Sequence, residues 1–206
     1  MCKRNKVCIY MFIVVMVLQI IIPALSVILE TSYTLISEAD VITEWDIGAS
    51  GSNITAKLYD SGTLYIEGEG AIKDDTEWKF RTTDVRDWIT TVQIKGNITT
   101  IGKMAFFGFR NLEACIDFDK SVKVVKNQAF GKCPKLERAD FPNLEIAEKY
   151  AFSDCERLTI AIPYDIKRIE NGAFKFVNKV KGNVKKSGIT GSGEHLVLSN
   201  TLSCLG

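Results

Sequence analysis

Apolar positions in the second half of the chain recur in a block rather than in a helical stripe. An Ala-Phe pair stands at 105–106, 129–130, 151–152 and 173–174, at spacings of 24, 22 and 22 residues. Four residues before each alanine are Ile101, Val125, Ala147 and Ile169; seven before are Ile98, Val122, Leu144 and Ile166; seven after are Leu112, Leu136, Leu158 and Val180. Five framework positions held through four copies define an internal repeat, and a period of about 20–29 residues with aliphatic side chains at fixed offsets is that of a solenoid. One unit, a strand and a return turn, cannot bury its apolar face alone, so the core arises by stacking neighbours. The register predicts strands at 112–118, 136–141 and 158–162, and Pro142 and Pro163 end two of them because proline cannot donate to a continuing ladder. Each copy adds about 4.8 Å, so four copies stack to roughly 20 Å.

Upstream the pattern changes to simple alternation. Residues 54–59 and 63–66 alternate apolar and polar around Asp60-Ser61-Gly62, a hairpin signal, and 89–94 is another strand-like run. An exposed first edge of the repeat sheet would be a template for aggregation, and covering it is a physical use for this segment. The expected organisation is therefore an export or anchor segment with linker over 1–39, an antiparallel β N-terminal cap over 40–96, about four repeats over 97–184 and a glycine-bearing tail over 185–206.

The first 29 residues change where this body is expected to reside. Residues 7–29 carry no charged side chain and follow Lys3, Arg4 and Lys6, the arrangement of an export signal. The run is also about long enough to span a bilayer, so a cleaved signal and an uncleaved anchor both remain open. Either way the body is predicted to be secreted or at the cell surface, touching a membrane only through residues 7–29 if they are retained. With residues 1–26 set aside, 23 basic residues face 25 acids, a net of −2. A near-neutral body lacks the cationic excess that nucleic-acid binding needs.

Two copies carry a family resemblance. Val122-x-x-Val125-x-x-x-Ala129-Phe130-x-x-Cys133-x-x-Leu136, followed by Pro142, resembles the unit of BspA-like leucine-rich repeats, and Leu144 through Ala151-Phe152-x-x-Cys155-x-x-Leu158 to Pro163 matches it again. The first copy has Phe109 in place of the cysteine and extra residues in 115–121; the fourth has Val177 there and loses the motif after Val180. Residues 45–102, with Trp45, Trp78 and Trp88, resemble the segment that opens such arrays in bacterial surface proteins. The resemblance implies a β-rich, short leucine-rich-repeat solenoid with a parallel sheet, and a role in surface attachment or adhesion towards a host or bacterial surface protein. By the repeat register, the sheet would display Glu113, Glu137, Arg138, Asp140, Thr159 and Ala161 to that partner.

Candidate chemistry adds little to this picture. His195 is the only histidine, so a Cys204–His195 pair is the sole thiol–imidazole arrangement on offer, and no C-x-x-C pair suggests zinc. The acid pairs Asp74-Asp75 and Asp117/Asp119 read as solvated loops more readily than as glycosidase carboxylates. No phosphate-binding glycine motif is present, and no cofactor or metal is expected. Cys133 and Cys155, one repeat apart, read as buried reduced thiols, with a disulfide between them as the alternative. The cap tryptophans offer a second functional reading, in which an exposed indole stacks a sugar of the cell envelope, against core packing. A third is a decayed repeat fragment without ligand.

Overall fold

The computed structural model describes residues 40–80 and 83–182, and the terminal segments carrying residues 7–29, His195 and Cys204 lie outside them. Three strands open the fold: β1 (Val41–Asp46), β2 (Asn53–Tyr59) and β3 (Thr63–Ala71), paired antiparallel. The predicted hairpin is β2 and β3, turning at 60–62. A small hairpin, β4 (Lys79–Phe80) with β5 (Thr83–Asp84), and a 3-10 turn at Arg86–Trp88 follow. The chain then enters β6 (Thr91–Ile101), which pairs with β3 in parallel. From there a parallel ladder continues through β7 (Ala114–Asp117), β9 (Arg138–Asp140), β11 (Thr159–Ala161) and β13 (Lys179–Lys181).

Of these, β7, β9 and β11 are the strands the repeat register predicts, trimmed at their ends, whereas β13 was not predicted. A second ladder was not predicted. The far end of β6 (Thr100 and Ile101) pairs with β8 (Val124–Val125), then β10 (Ile146–Ala147) and β12 (Arg168–Ile169), all parallel. Among the described residues, six parallel rungs of the long ladder, β3 to β13, are joined by five turns, and the short ladder has four members, the end of β6 followed by β8, β10 and β12.

All twenty framework side chains are interior, none more than 8% exposed. Repeating a residue type at one offset places like on like, and the rings of Phe106, Phe130, Phe152 and Phe174 stack in a column at 5.1, 5.3 and 5.5 Å between centroids. The column does not begin at Phe106. Trp78 lies nearly parallel to it at 5.7 Å, 3% exposed, and its Nε1–H donates to the Ala105 carbonyl. The turn from β3 to β6 is thus a solenoid turn without an Ala-Phe pair, its ring supplied by a tryptophan.

The return turns share a backbone rule that residue types conceal. The residue before each alanine (Met104, Gln128, Tyr150, Gly172) and the one three after it (Gly108, Lys132, Asp154, Phe176) all have φ between 52° and 74°. Left-handed backbone costs a non-glycine residue roughly 1–2 kcal/mol. Inter-turn bonds offset it: Gln128, Phe130 and Lys132 N–H groups donate to the Lys149, Ala151 and Ser153 carbonyls at 3.2, 2.8 and 2.9 Å, and the turns on either side repeat the set. Glycine at 172 also relieves crowding, since a Cβ there would meet the Tyr150 ring at 2.3 Å.

Cys115, Cys133 and Cys155 are free thiols, fully buried. The thiols of Cys133 and Cys155 each reach back to a return-turn carbonyl of the preceding repeat, Phe106 at 3.2 Å and Phe130 at 3.1 Å. Hydrogen bonding with Cys133, then burial, pushes the Cys155 thiol up; burial, then the Asp117 charge, pushes Cys115 up. A neutral, enclosed thiol is a poor nucleophile. Alkylation of the native chain at mildly alkaline pH, mapped by mass spectrometry, should leave all three unmodified until denaturant is added. Rapid native labelling of Cys133 or Cys155 would contradict the packing.

Candidate interaction face

One face of the long ladder points into the core and the other points out. On the outward face the register aligns Thr91, Ala114, Arg138, Thr159 and Lys179 in one row, and Gln93, Ile116 and Asp140 in the next, with Ala161 beside Lys181. Glu113 and Glu137 stand at the entry to β7 and β9, where the Glu137 N–H donates to the Glu113 carbonyl at 2.8 Å. The six predicted residues therefore occupy adjacent positions of three successive rungs. Arg138 pairs along its own strand with Asp140, which raises the arginine pKa, and Glu137 pairs with Arg157 across a rung at 3.5 Å. These pairs are open to solvent and hold charge in place more than they stabilise.

Sequence reasoning missed the centre of this face. Ile116 is outward and half-buried, and Phe118, just after β7, is 53% exposed. With Phe141, Pro142 and Ala161 they wall an open depression of about 420 Å³. The alternation of Ala114, Cys115, Ile116 and Asp117 carried the signal, since an outward isoleucine and an inward aspartate both invert the usual pattern.

Asp117 corrects the reading of the acid pairs as solvated loop. It stands in register with buried Ile94 and is itself 4% exposed. Its Oδ2 accepts the Val122 N–H at 2.8 Å, and the Lys120 and Ser121 N–H groups also support the carboxylate, closing the extra loop of the first Ala-Phe copy. Oδ1 is buried without a partner. Burial outweighs the three N–H groups and raises the pKa above its ordinary 3.8. Asp119 instead caps the Gly96 N–H, and Asp74 accepts the Lys103 N–H and the Lys126 ammonium, so neither pair faces a shared substrate position.

A raised folded pKa means that ionising Asp117 works against the fold: its contribution is favourable below the unfolded value and is lost as pH rises through the folded one. Asp74 and Glu145 run the other way. Desolvation of Asp74 is overcome by the Lys103 N–H and Lys126, and Lys167 holds Glu145 down, so their contributions are lost as pH falls. They cancel in a comparison of Asp117→Asn with the parent. Denaturant melts across pH should show the Asn variant gaining relative stability from acid to neutral pH; a difference flat in pH would contradict the assignment.

Of the cap tryptophans, Trp78 is packed in the core and is no sugar platform. Trp78 is enclosed by Phe106, Phe109 and Trp45, the last meeting it edge-on at 5.4 Å, because the end of the ring column needs a lid. Trp88 alone is substantially exposed, at 46%. Among the described residues no group of three or more potential metal ligands gathers.

A family model described as the BspA type leucine rich repeat region matches residues 86–196 in six copies, just over half of the chain. The chain belongs to this family. Three crystal structures resemble this BspA-type protein in fold: a leucine-rich repeat protein from Eubacterium ventriosum (20% identity, TM-score 0.47, covering 78% of this chain and 42% of that one), the Treponema pallidum leucine-rich repeat protein (21%, 0.42, 68% and 71%), and a leucine-rich cell surface protein from Faecalibacterium prausnitzii (19%, 0.45, 80% and 54%). The BspA-type chain spans less than half the length of the first of these. No curated protein matches it in sequence.

Proposed function

We propose that the chain is an extracellular or surface-held module that binds a protein of a host or bacterial surface through the outward face of its long ladder, without catalysis of its own. The observation that carries the reading is the registered outward surface itself: Arg138, Asp140, Thr159 and Ala161 on successive rungs, flanked by Glu113 and Glu137, around an exposed aromatic at Phe118. Family membership supports a binding role, since leucine-rich-repeat proteins generally bind protein partners, and solenoids display such faces because every turn repeats the same outward positions. Export through residues 7–29 would place this face outside the cell. Three to four rungs form a small surface, so the interaction is weak singly and gains from multivalency.

The test is capture from bacterial and host surface extracts by the full chain, compared with an Arg138→Glu/Thr159→Arg variant that melts like the parent. Selective loss of a captured protein in the variant is the expected result. Equal capture by both would remove the outward face from the account.

A further inference from the structure

Four successive turns lead the chain into the long ladder, and they are built alike. Residues 86–89, 109–112, 133–136 and 155–158 each close with a bond from the fourth N–H to the first carbonyl, at 3.3, 3.2, 3.1 and 3.0 Å. The fourth residue is inward in every case: Ile89, Leu112, Leu136 and Leu158 are fully buried. The third residues therefore form one row along the corner of the solenoid, in the order Trp88, Asn111, Lys135, Arg157. Polar side chains suit such a corner. The indole does not, since Ile89 already fills the interior beside it and Trp88 is left 46% exposed. Side chains tie the row together: Asn111 Nδ2 donates to the Asp87 carbonyl at 2.8 Å, and Asn111 Oδ1 accepts from Lys135 Nζ at 2.8 Å. One rung on from the indole, Asn111, Lys135 and Arg157 line an open hollow of about 540 Å³ with Arg110, Asp154 and Glu156. Four cations and two carboxylates line it in all, Glu137 pairs with Arg157 at 3.5 Å and Asp87 adjoins Asn111, so neither sign dominates.

We propose that this corner binds a chain of neutral hexopyranose sugars, one ring stacked on the Trp88 indole and a following ring seated in the hollow. The chemistry selects that occupant. A pyranose has an apolar C–H face and a rim of hydroxyls, each of them donor and acceptor at once. The indole supplies a flat apolar surface at low cost in side-chain entropy. The hollow supplies what hydroxyls need, the Asn111 amide and cationic donors beside the Asp154 and Glu156 acceptors. An aliphatic side chain would strand these polar groups, and a charged polymer gains nothing where the signs balance. Rungs stand about 4.8 Å apart, so indole and hollow are within reach of neighbouring rings of one oligosaccharide. The row lies beside the outward face of the long ladder, not on it, and the site is independent of the protein-binding reading.

The full chain, isotope-labelled at nitrogen, would be titrated with maltohexaose, cellohexaose and mannohexaose, and with hexagalacturonate and glycerol as controls, reading the Trp88 indole N–H and the Asn111 side-chain amide by NMR. At least one neutral hexaose should shift both signals saturably, on the order of millimolar, while the Trp78 indole stays in place. Hexagalacturonate and glycerol should bind more weakly than that hexaose. Trp88→Ala, read at the Asn111 amide, should weaken binding by about tenfold or more, and Trp88→Phe should keep part of it. Asn111→Ala, read at the indole, should weaken it severalfold. Should Trp88→Ala melt below the parent, the hexaose and glycerol titrations of the parent chain still decide. Four results would each overturn the proposal: no shift with any of the three hexaoses, an equal response to glycerol, a preference for hexagalacturonate that fades with salt, or a Trp88→Ala variant that binds like the parent. The Arg138→Glu/Thr159→Arg variant should keep the sugar, so this site and the protein-binding face fail separately.

Discussion

Phe130→Ala is expected to destabilise the fold by about 3–5 kcal/mol, read as a fall in the urea midpoint. Phe130 is fully buried and stacks on both sides, on Phe106 at 5.1 Å and on Phe152 at 5.3 Å with planes only 2° apart, while Phe141 leans on it at 5.9 Å. Truncation therefore opens a cavity in the middle of a column, where backbone bonds on both flanks prevent collapse into it. Phe174, 8% exposed and stacked only on Phe152 among the described rings, should cost roughly half as much. In a stack where each turn touches only its neighbours, a mid-column defect also weakens coupling between the two halves, so the Phe130→Ala transition should broaden or split. Equal losses at 130 and 174, or a loss below about 1 kcal/mol at Phe130, would contradict a continuous ring column.

The second large effect is at the head of that column. Trp78→Ala should also cost about 3–5 kcal/mol, because it uncovers Phe106 and removes the surface against which Trp45 and Phe109 pack. Trp78→Phe separates ring from hydrogen bond: it keeps a stack on Phe106 but strands the buried Ala105 carbonyl, a loss of about 1–3 kcal/mol. Trp88→Ala, at an exposed indole, should stay within about 0.5 kcal/mol of the parent. If Trp88→Ala proved as damaging as Trp78→Ala, the assignment of Trp78 as the lid would fail.

How much of this could be read beforehand depends on which physical quantity each residue reports. The Ala-Phe pairs and their aliphatic neighbours report burial, and burial repeats with the turn, so the long ladder and its core were legible down to individual side chains such as Leu136 and Ile160. The hairpin of β2 and β3 was legible for the same reason, through alternation about a glycine turn. Backbone conformation was not. Met104, Gln128 and Tyr150 share a left-handed φ that none of their side chains signals, and it is held by bonds to the next turn rather than by local preference. The short ladder of β8, β10 and β12, two residues per strand, lies below what alternation can reveal. The first turn was hidden because Thr76 replaces the alanine, Trp78 replaces the ring, and the β4–β5 hairpin lengthens the spacing to the next rung.

The outward face was half legible. Glu113, Glu137, Arg138, Asp140, Thr159 and Ala161 follow from the register once the strands are known. Ile116, Asp117 and Phe118 do not, because they sit where the first Ala-Phe copy carries its extra residues and the repeat stops predicting which way a side chain points.

The most direct test of the interaction face is carboxyl footprinting of the full chain, free and bound to the protein it captures. Binding through the long ladder predicts protection at Glu113, Glu137 and Asp140, with Glu156 and Asp165, exposed in the turns before and after β11, labelled equally in both states. Protection of Glu156 and Asp165 with Glu113, Glu137 and Asp140 unchanged would put the partner on another face and contradict the account.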